Sequence, residues 1–166
     1  SKALSHKYIY SYGYTVADVV GTYTFEGVSY FGATYDETGA VVFEESDNAE
    51  KGNLMITTIF DTPCATPLYC SFDGDFGILS IADWQIITPY VDGSDNGNIL
   101  FAVNGADEVT FFLSEPGKLG DNSAWIGYYY NSAVSEDNSG WGNVFKTVTM
   151  TRNAAAPAPA KGIIKD

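Results

Sequence analysis

The sequence contains few positive charges. Lys and Arg together number 8, against 21 Asp and Glu, which gives a formal net charge of −13 at neutral pH. Nucleic acids and anionic lipid surfaces are bound through clustered Lys and Arg side chains. The composition therefore excludes both as expected partners, while it is compatible with high solubility and with cation binding.

Histidine is almost absent, since His6 is the only one in the chain. A Ser-His-Asp or Cys-His catalytic site in the folded body is excluded unless His6 folds back onto it. The sequence also lacks a phosphate-binding glycine loop, a zinc motif and a dinucleotide-binding fingerprint. The neighbouring carboxylates Asp73 and Asp75 belong to a predicted hairpin turn. We therefore expect a protein that is not an enzyme.

Long apolar runs are missing as well. None approaches the ~20 residues that a membrane-spanning helix needs. We therefore expect no direct insertion into a membrane.

Only two cysteines are present, Cys64 and Cys70. Without a second pair or a nearby histidine they do not make a zinc site. Pro63 and Pro67 predict a turn over residues 61–67, which can bring the cysteines together as a disulfide in an oxidising compartment. Two buried free thiols are an equally good interpretation, because cysteine packs well as a small apolar group.

Aromatic, β-branched and glycine residues, by contrast, are abundant. The 12 Tyr, 10 Phe and 17 Gly favour strands and turns over helices. Strand-like segments recur about every 8–12 residues, mostly with hairpin-like turns between them. The pattern predicts an all-β fold, an antiparallel up-and-down β-barrel of about eight strands. We expect the barrel over residues 15–152, after a leader over 1–14 and before an Ala/Pro-rich linker or tail over 153–166.

The predicted barrel begins with a short helical turn over residues 15–18, which ends before Gly21. A strand follows to Tyr30, with Tyr23 and Phe25 on one face and polar residues on the other. The closing strand is predicted over residues 144–152.

Gly21-Thr22-Tyr23 at the start of the first strand and Thr149-Met150-Thr151-Arg152 at the end of the last resemble the calycin superfamily. That superfamily includes lipocalins, fatty-acid-binding proteins and avidins. Its members have Gly-x-Trp near the start and a basic residue from the last strand packed over the aromatic ring. The resemblance implies that Tyr23 replaces the Trp and that Arg152 stacks on it, a cation–π contact that closes the barrel.

Three stretches resemble a narrower group, the calycin-like β-barrel domains of gut-bacterial envelope lipoproteins: residues 16–23, 51–57 and 77–85. The resemblance covers about residues 15–152. It implies an exported protein, in the periplasm or on the cell surface of a bacterium. This group has no established common ligand, so the resemblance implies an architecture and a setting more than a chemistry.

Aromatic residues late in the chain are the best indication of a binding site. They are Trp125, Tyr128, Tyr130 and Trp141, and exposed aromatic platforms bind sugars or apolar ligands by stacking and burial. The alternative is that alternate tyrosines fill the barrel while Trp141 caps one end.

The segment Asp92-Gly93-Ser94-Asp95-Asn96-Gly97 partly matches the start of a calcium-binding loop. Asp92, Ser94 and Asn96 occupy the first, third and fifth positions, which supply oxygen ligands in such loops. Val103 takes the place of the bidentate Glu, however, and a plain hairpin turn accounts for the same residue types. Calcium is the one candidate cofactor that the sequence offers.

We therefore predict a non-enzymatic binding or structural module of an exported cell-envelope protein, with an unidentified protein or glycan partner. The alternative is a calycin that holds a small apolar or glycan molecule at the barrel mouth. An open interior favours the alternative, whereas a filled interior with a buried Trp141 excludes it.

Overall fold

Strands and tight turns make up nearly all of the part of the chain that the computed structural model describes, residues 10–154. The strands in this range are β1 (Gly21–Ser29), β2 (Glu37–Glu45), β3 (Leu54–Ile59), β4 (Thr62–Asp73), β5 (Ile78–Ala82), β6 (Gln85–Asp92), β7 (Asp95–Val103), β8 (Glu108–Glu115), β9 (Lys118–Gly120), β10 (Ile126–Ser132) and β11 (Gly140–Arg152). Short 3-10 turns lie at Val16–Asp18, Ala33–Tyr35 and Glu136–Asn138. His6 and most of the predicted leader and tail lie outside the described residues.

The strands occupy eight positions around a closed antiparallel barrel. β5 and β6 follow one another along a single position of the barrel. Together they form one arm of a long hairpin, in which β6 pairs with β7 and β5 pairs with β8. Ile78 lies opposite Phe112 there, and Gln85 lies opposite Phe101. In the same way β7 and β8 share a position, and so do β9 and β10. Pairing of β1 with β11 closes the ring, so the predicted up-and-down barrel of about eight strands is confirmed.

The predicted turn before the first strand is present at Val16–Asp18. The Asp18 carboxylate accepts a hydrogen bond from the Thr15 backbone N–H at 2.8 Å. Gly21 then adopts φ +144°, which a residue with a side chain rarely reaches. Along β1, buried and exposed residues alternate as predicted, with Tyr23 and Phe25 fully buried in the core.

Side chains fill the interior of the barrel. The largest fully buried ones are aromatic: Tyr23, Phe25, Phe43, Phe101, Phe111 and Phe145. The cavity at the centre of the core has a volume of about 10 Å³, which is at the lower limit for holding one water molecule. The barrel is therefore a packed scaffold in its middle, with no room for an organic ligand there.

Bulges change which residues face the core. The sequence places Ile56 and Ile59 on opposite faces of the third strand, but the register shifts between Ile56 and Thr58 and both side chains are buried. A second shift lies between Val28 and Ser29, opposite β11. There it brings Phe145 into the same core as Val148 and Met150, a combination that strict alternation does not allow.

The predicted turn over residues 61–67 is wrong. The chain turns earlier, at Phe60 and Asp61, which have φ values of 50° and 65°. Two consecutive residues at positive φ make the tight two-residue hairpin turn that matches the twist of the flanking strands. β4 then extends from Thr62 to Asp73, and its pairing with β3 is irregular between Pro63 and Leu68.

The prolines of β4 and β6 lie along a seam in the barrel wall. Among the described residues, no backbone ladder joins β4 to β6, although the two strands lie side by side. Gln85 bridges them instead, accepting from the Tyr69 backbone N–H at 2.9 Å and donating to the Tyr69 carbonyl oxygen at 3.2 Å. Pro67 falls where β4 has no partner residue in β3, a place where a strand tolerates proline. Pro63 and Pro89 remain within the β3–β4 and β6–β7 pairings.

Candidate functional site

The run Tyr128–Tyr130 places aromatic rings on both faces of β10, as the sequence predicts. Tyr128 lies opposite Phe101 and packs against the core. Tyr129 lies opposite Trp141 on the outer face, and the centroids of these two rings are 5.6 Å apart at 88°. The inward and outward tyrosines of β10 therefore belong to different surfaces.

The four residues predicted to bind a ligand divide between these surfaces. Trp125 and Trp141 line a groove on the outer wall of the barrel. Tyr128 lines a cleft at the barrel end, and the Tyr130 ring lies 5.5 Å from that of Tyr90, another residue of the cleft. The structure brings the residues together in two pairs and not in one site.

We call the first surface the outer groove. Its volume is about 460 Å³, and its lining residues are Tyr30, Phe31, Asn104, Trp125, Trp141 and Val144. Tyr30, Phe31 and Trp125 are exposed to 55%, 49% and 37%, respectively, while Trp141 is half-buried. The lining carries no charged side chain, although the chain has 21 acidic residues. Sequence reasoning did not identify Tyr30 and Phe31 as groove residues. The pattern that indicates them is a pair of aromatic residues directly after the end of a strand.

Backbone hydrogen bonds hold the outer groove in place. The Asn104 N–H donates to the Trp125 carbonyl oxygen at 2.8 Å, and the Tyr30 N–H donates to the Val144 carbonyl oxygen at 2.8 Å. The Tyr30 and Trp125 rings lie 5.2 Å apart, centroid to centroid. Trp141 is fixed by its place in β11. The groove is therefore largely preformed.

A second aromatic group extends the apolar surface beyond Trp141. Tyr129 lies between Trp141 and Trp84, and its ring centroid is 5.1 Å from that of Trp84. Beneath them, Leu100 is 3% exposed and lies outside the barrel core. These contacts form a small apolar layer on the outer wall, which makes the aromatic surface rigid.

Asn143 anchors the loop that carries Tyr30 and Phe31. This buried side chain donates to the Tyr35 carbonyl oxygen at 2.8 Å and to Glu37 Oε2 at 2.6 Å. Its Oδ1 accepts from the Ser29 hydroxyl at 2.7 Å. The Ser29 hydroxyl in turn accepts from the Phe31 N–H at 3.0 Å. A buried polar side chain with every group bonded specifies one conformation, so Asn143 is a positioning residue for the outer groove.

The barrel-end cleft is smaller than the outer groove, and most of its lining side chains are apolar. Its volume is about 280 Å³, and its lining includes Phe60, Ile87, Tyr90, Ile99 and Tyr128. The Tyr128 hydroxyl donates to Glu37 Oε2 at 2.6 Å. Burial, and then the nearby Glu37 carboxylate, raise the pKa of Tyr128, so the phenol is neutral at physiological pH.

Tyr23 and Arg152 lie opposite each other in the β1–β11 pairing. The Arg152 guanidinium donates to the carbonyl oxygens of Val20, at 3.0 Å, and Ala17, at 3.2 Å. The Tyr23 hydroxyl donates to the Val19 carbonyl oxygen at 2.7 Å. Both residues therefore act at the barrel closure by binding the N-terminal turn.

Cys64 and Cys70 both lie on β4. Cys70 lies opposite Leu54 in the β3–β4 pairing, while Cys64 lies between Pro63 and Leu68, where that pairing is irregular. In the structure both side chains are free thiols, with Cys70 buried and Cys64 half-buried, and a disulfide between them stays a prediction for an oxidising compartment. Burial raises the pKa of Cys64 to about 11 and that of Cys70 in the same direction, so neither thiol is a ready nucleophile.

The segment proposed for calcium forms a two-residue hairpin turn between β6 and β7. Asp92 lies opposite Asp95, and Gly93 has φ 61°. The Asp95 carboxylate accepts from the Ser132 hydroxyl at 2.6 Å. Within residues 10–154, no group of three or more His, Cys, Asp or Glu side chains is placed to hold a metal ion. Calcium binding through Asp92, Ser94 and Asn96 stays a prediction.

The helical turns in the described range are all too short to cross a membrane. Comparison of the chain with protein-family models, with curated proteins and with solved structures gave no match. The architecture of the barrel is therefore the basis for comparing this chain with a fold class. The closed eight-stranded antiparallel barrel, with a 3-10 turn before the first strand, is consistent with a calycin-like fold.

Proposed function

We propose that the protein is a non-enzymatic binding module of an exported, cell-envelope protein. In this proposal the barrel is a rigid scaffold and the outer groove contacts the partner. The observation that carries the proposal is the contrast between the two sides of the wall. The interior cavity measures about 10 Å³, while the groove outside measures about 460 Å³ and is lined by four aromatic rings.

The cell-envelope setting rests on the resemblance of residues 16–23, 51–57 and 77–85 to calycin-like domains of gut-bacterial lipoproteins. The filled barrel of this chain agrees with a scaffold role. The aromatic surface lies on a wall held by backbone ladders, where binding costs little conformational entropy.

Intrinsic tryptophan fluorescence tests the proposed function. The protein is titrated with neutral and anionic polysaccharides, an apolar peptide and phospholipid vesicles. We expect at least one partner class to quench or shift the emission, and a variant with both Trp125→Ala and Trp141→Ala to lose binding of that partner in isothermal titration, which does not depend on tryptophan emission. Phe76→Ala is the matched control, because Phe76 is 56% exposed but lies in the turn between β4 and β5. Flat titrations with every class would contradict the proposal.

The barrel-end cleft supports a second candidate function, the binding of a small apolar molecule. A cleft of about 280 Å³ lined by Phe60, Ile87 and Tyr128 suits such a ligand. A neutral naphthylamine probe that fluoresces in apolar surroundings tests it. We expect Thr62→Phe, which places a ring at the lining of the cleft, to weaken probe binding, while Trp125→Ala leaves it unchanged. The reverse result assigns the probe to the outer groove.

A further inference from the structure

We infer that the ligand of the outer groove is a neutral glycan. This inference rests on the proposed function and narrows it to one class of ligand. A hydroxyl-rich sugar chain without charged groups fits the groove in charge and in surface chemistry.

The charge of the chain argues against charged ligands and against a second copy of the chain in the outer groove. The lining of the groove is uncharged at neutral pH, while the chain as a whole carries −13. Anionic glycans and anionic membranes are repelled by such a surface, and so is a second copy of the chain. A cationic peptide is attracted to carboxylates, yet none lines the groove. Charge matching therefore favours a neutral ligand.

The surface chemistry of the groove suits a sugar ring. A pyranose has an apolar face of C–H groups and a rim of hydroxyls, so it binds best where aromatic rings lie beside hydrogen-bonding groups. Trp125 and Trp141 supply aromatic rings. Asn104 supplies an exposed side-chain amide that makes no hydrogen bond within the described residues, and an amide both donates to and accepts from hydroxyls.

The position of Asn104 is held by the same contact that holds Trp125. The Asn104 N–H donates to the Trp125 carbonyl oxygen, so the amide and the indole keep a set separation. Beside the groove, the Trp141 ring contacts that of Tyr129, which in turn contacts that of Trp84. A row of neighbouring aromatic rings offers stacking faces to successive sugar units of a polymer.

Isothermal titration with soluble neutral polysaccharides tests this inference. The panel consists of a glucan, a mannan, a xylan and a galactan, with polygalacturonate as the anionic comparison. We expect binding of at least one neutral polymer, no binding of polygalacturonate, and little change with added salt, since no charge contact is involved. Trp125→Ala and Asn104→Ala should each weaken binding about tenfold.

Two further variants keep the test interpretable. Trp125→Phe retains an aromatic ring and should recover part of the affinity that Trp125→Ala loses. Asn131→Ala removes an exposed amide elsewhere on β10 and should change nothing. Loss of the folded state in any variant would be seen in its melting curve.

The outcomes separate this inference from the proposed function. Suppose that no neutral polysaccharide binds, but that a peptide binds and its binding requires Trp125 and Trp141. The inference of a neutral glycan is then wrong, while the proposed function as a binding module is supported. Tighter binding of polygalacturonate than of the neutral polymers would also contradict the inference of a neutral glycan. If no partner of any class binds, both proposals fall.

Discussion

Tyr23 and Arg152 face each other across the strand pairing that closes the barrel, and both hold the same N-terminal turn. The phenol donates to the Val19 carbonyl oxygen from inside the barrel, and the guanidinium donates to the carbonyls of Val20 and Ala17. Calycin resemblance implies a ring stacked under a cation at these positions. The structure shows two donors that satisfy the carbonyl groups at the end of one turn.

Replacement of Arg152 tests how much this closure contributes. We expect Arg152→Ala to lower the free energy of unfolding by about 2 kcal/mol, because two charge-assisted hydrogen bonds are lost. The measurement is urea unfolding at neutral pH. Lys146→Ala is the control, since Lys146 is an exposed cation on the same strand. Equal midpoints for the two variants would mean that the guanidinium contacts do not matter for stability.

Alkaline pH should destabilise the fold through Tyr23. Burial raises the pKa of Tyr23 from 10.0 to about 12. A raised pKa in the folded state means that the unfolded chain loses this proton first, so stability is intact below about pH 10 and declines towards about pH 12. Unfolding followed across that range should show a shallower decline for Tyr23→Phe. An identical pH profile for the variant and the parent would exclude Tyr23 as the group responsible.

Gly27 tests the packing at the bulge between β1 and β11. A Cβ at this position would lie 2.6 Å from Cδ1 of the buried Phe145 ring, so Gly27→Ala should cost about 1–3 kcal/mol of stability through overpacking. Gly140→Ala is the matched control, because nothing lies within 4 Å of its added Cβ. Thermal unfolding of both variants is the measurement, and a loss of stability in the control alone would contradict the packing argument.

Replacement of Asn143 should affect both the stability of the fold and ligand binding in the outer groove. Asn143→Asp removes both donors from its amide and places a carboxylate beside Glu37, and we expect it to cost about 3 kcal/mol. Ligand binding to the groove should also weaken, because the loop with Tyr30 and Phe31 loses its anchor. Asn131→Asp, an exposed exchange on β10, is the control. Normal binding by a destabilised Asn143→Asp would show that the loop is held by other contacts.

Much of the barrel could be predicted from local pattern. Alternation in β1 correctly assigns Tyr23 and Phe25 to the core, and the hairpin turns rich in Asp and Gly mark most strand ends. The turn at Phe60 and Asp61 was not predicted because Phe60, unlike Asp61, is not typical of a two-residue turn with positive φ. The prolines of β4 indicated a turn, yet Pro63 lies within the β3–β4 pairing and Pro67 lies in an irregular part of the same strand.

The candidate site was less accessible from the sequence. Trp125 and Trp141 could be picked out as aromatic residues in polar surroundings. Their neighbours Tyr30 and Asn104 could not, because they come from distant segments and meet only when the barrel has closed. Nor could a pattern show that Tyr128 and Tyr130 serve a different cleft from the tryptophans.

By itself the sequence determined that this chain forms strands, how its side chains alternate and that its surface is acidic, because these properties depend on neighbours along the chain. Only the tertiary structure decided that the interior is full and that the aromatic groove lies outside it. Bulges depend on how two partner strands match, and the filling of a barrel depends on all its strands together. Those are relationships between distant residues, which closure of β1 on β11 creates.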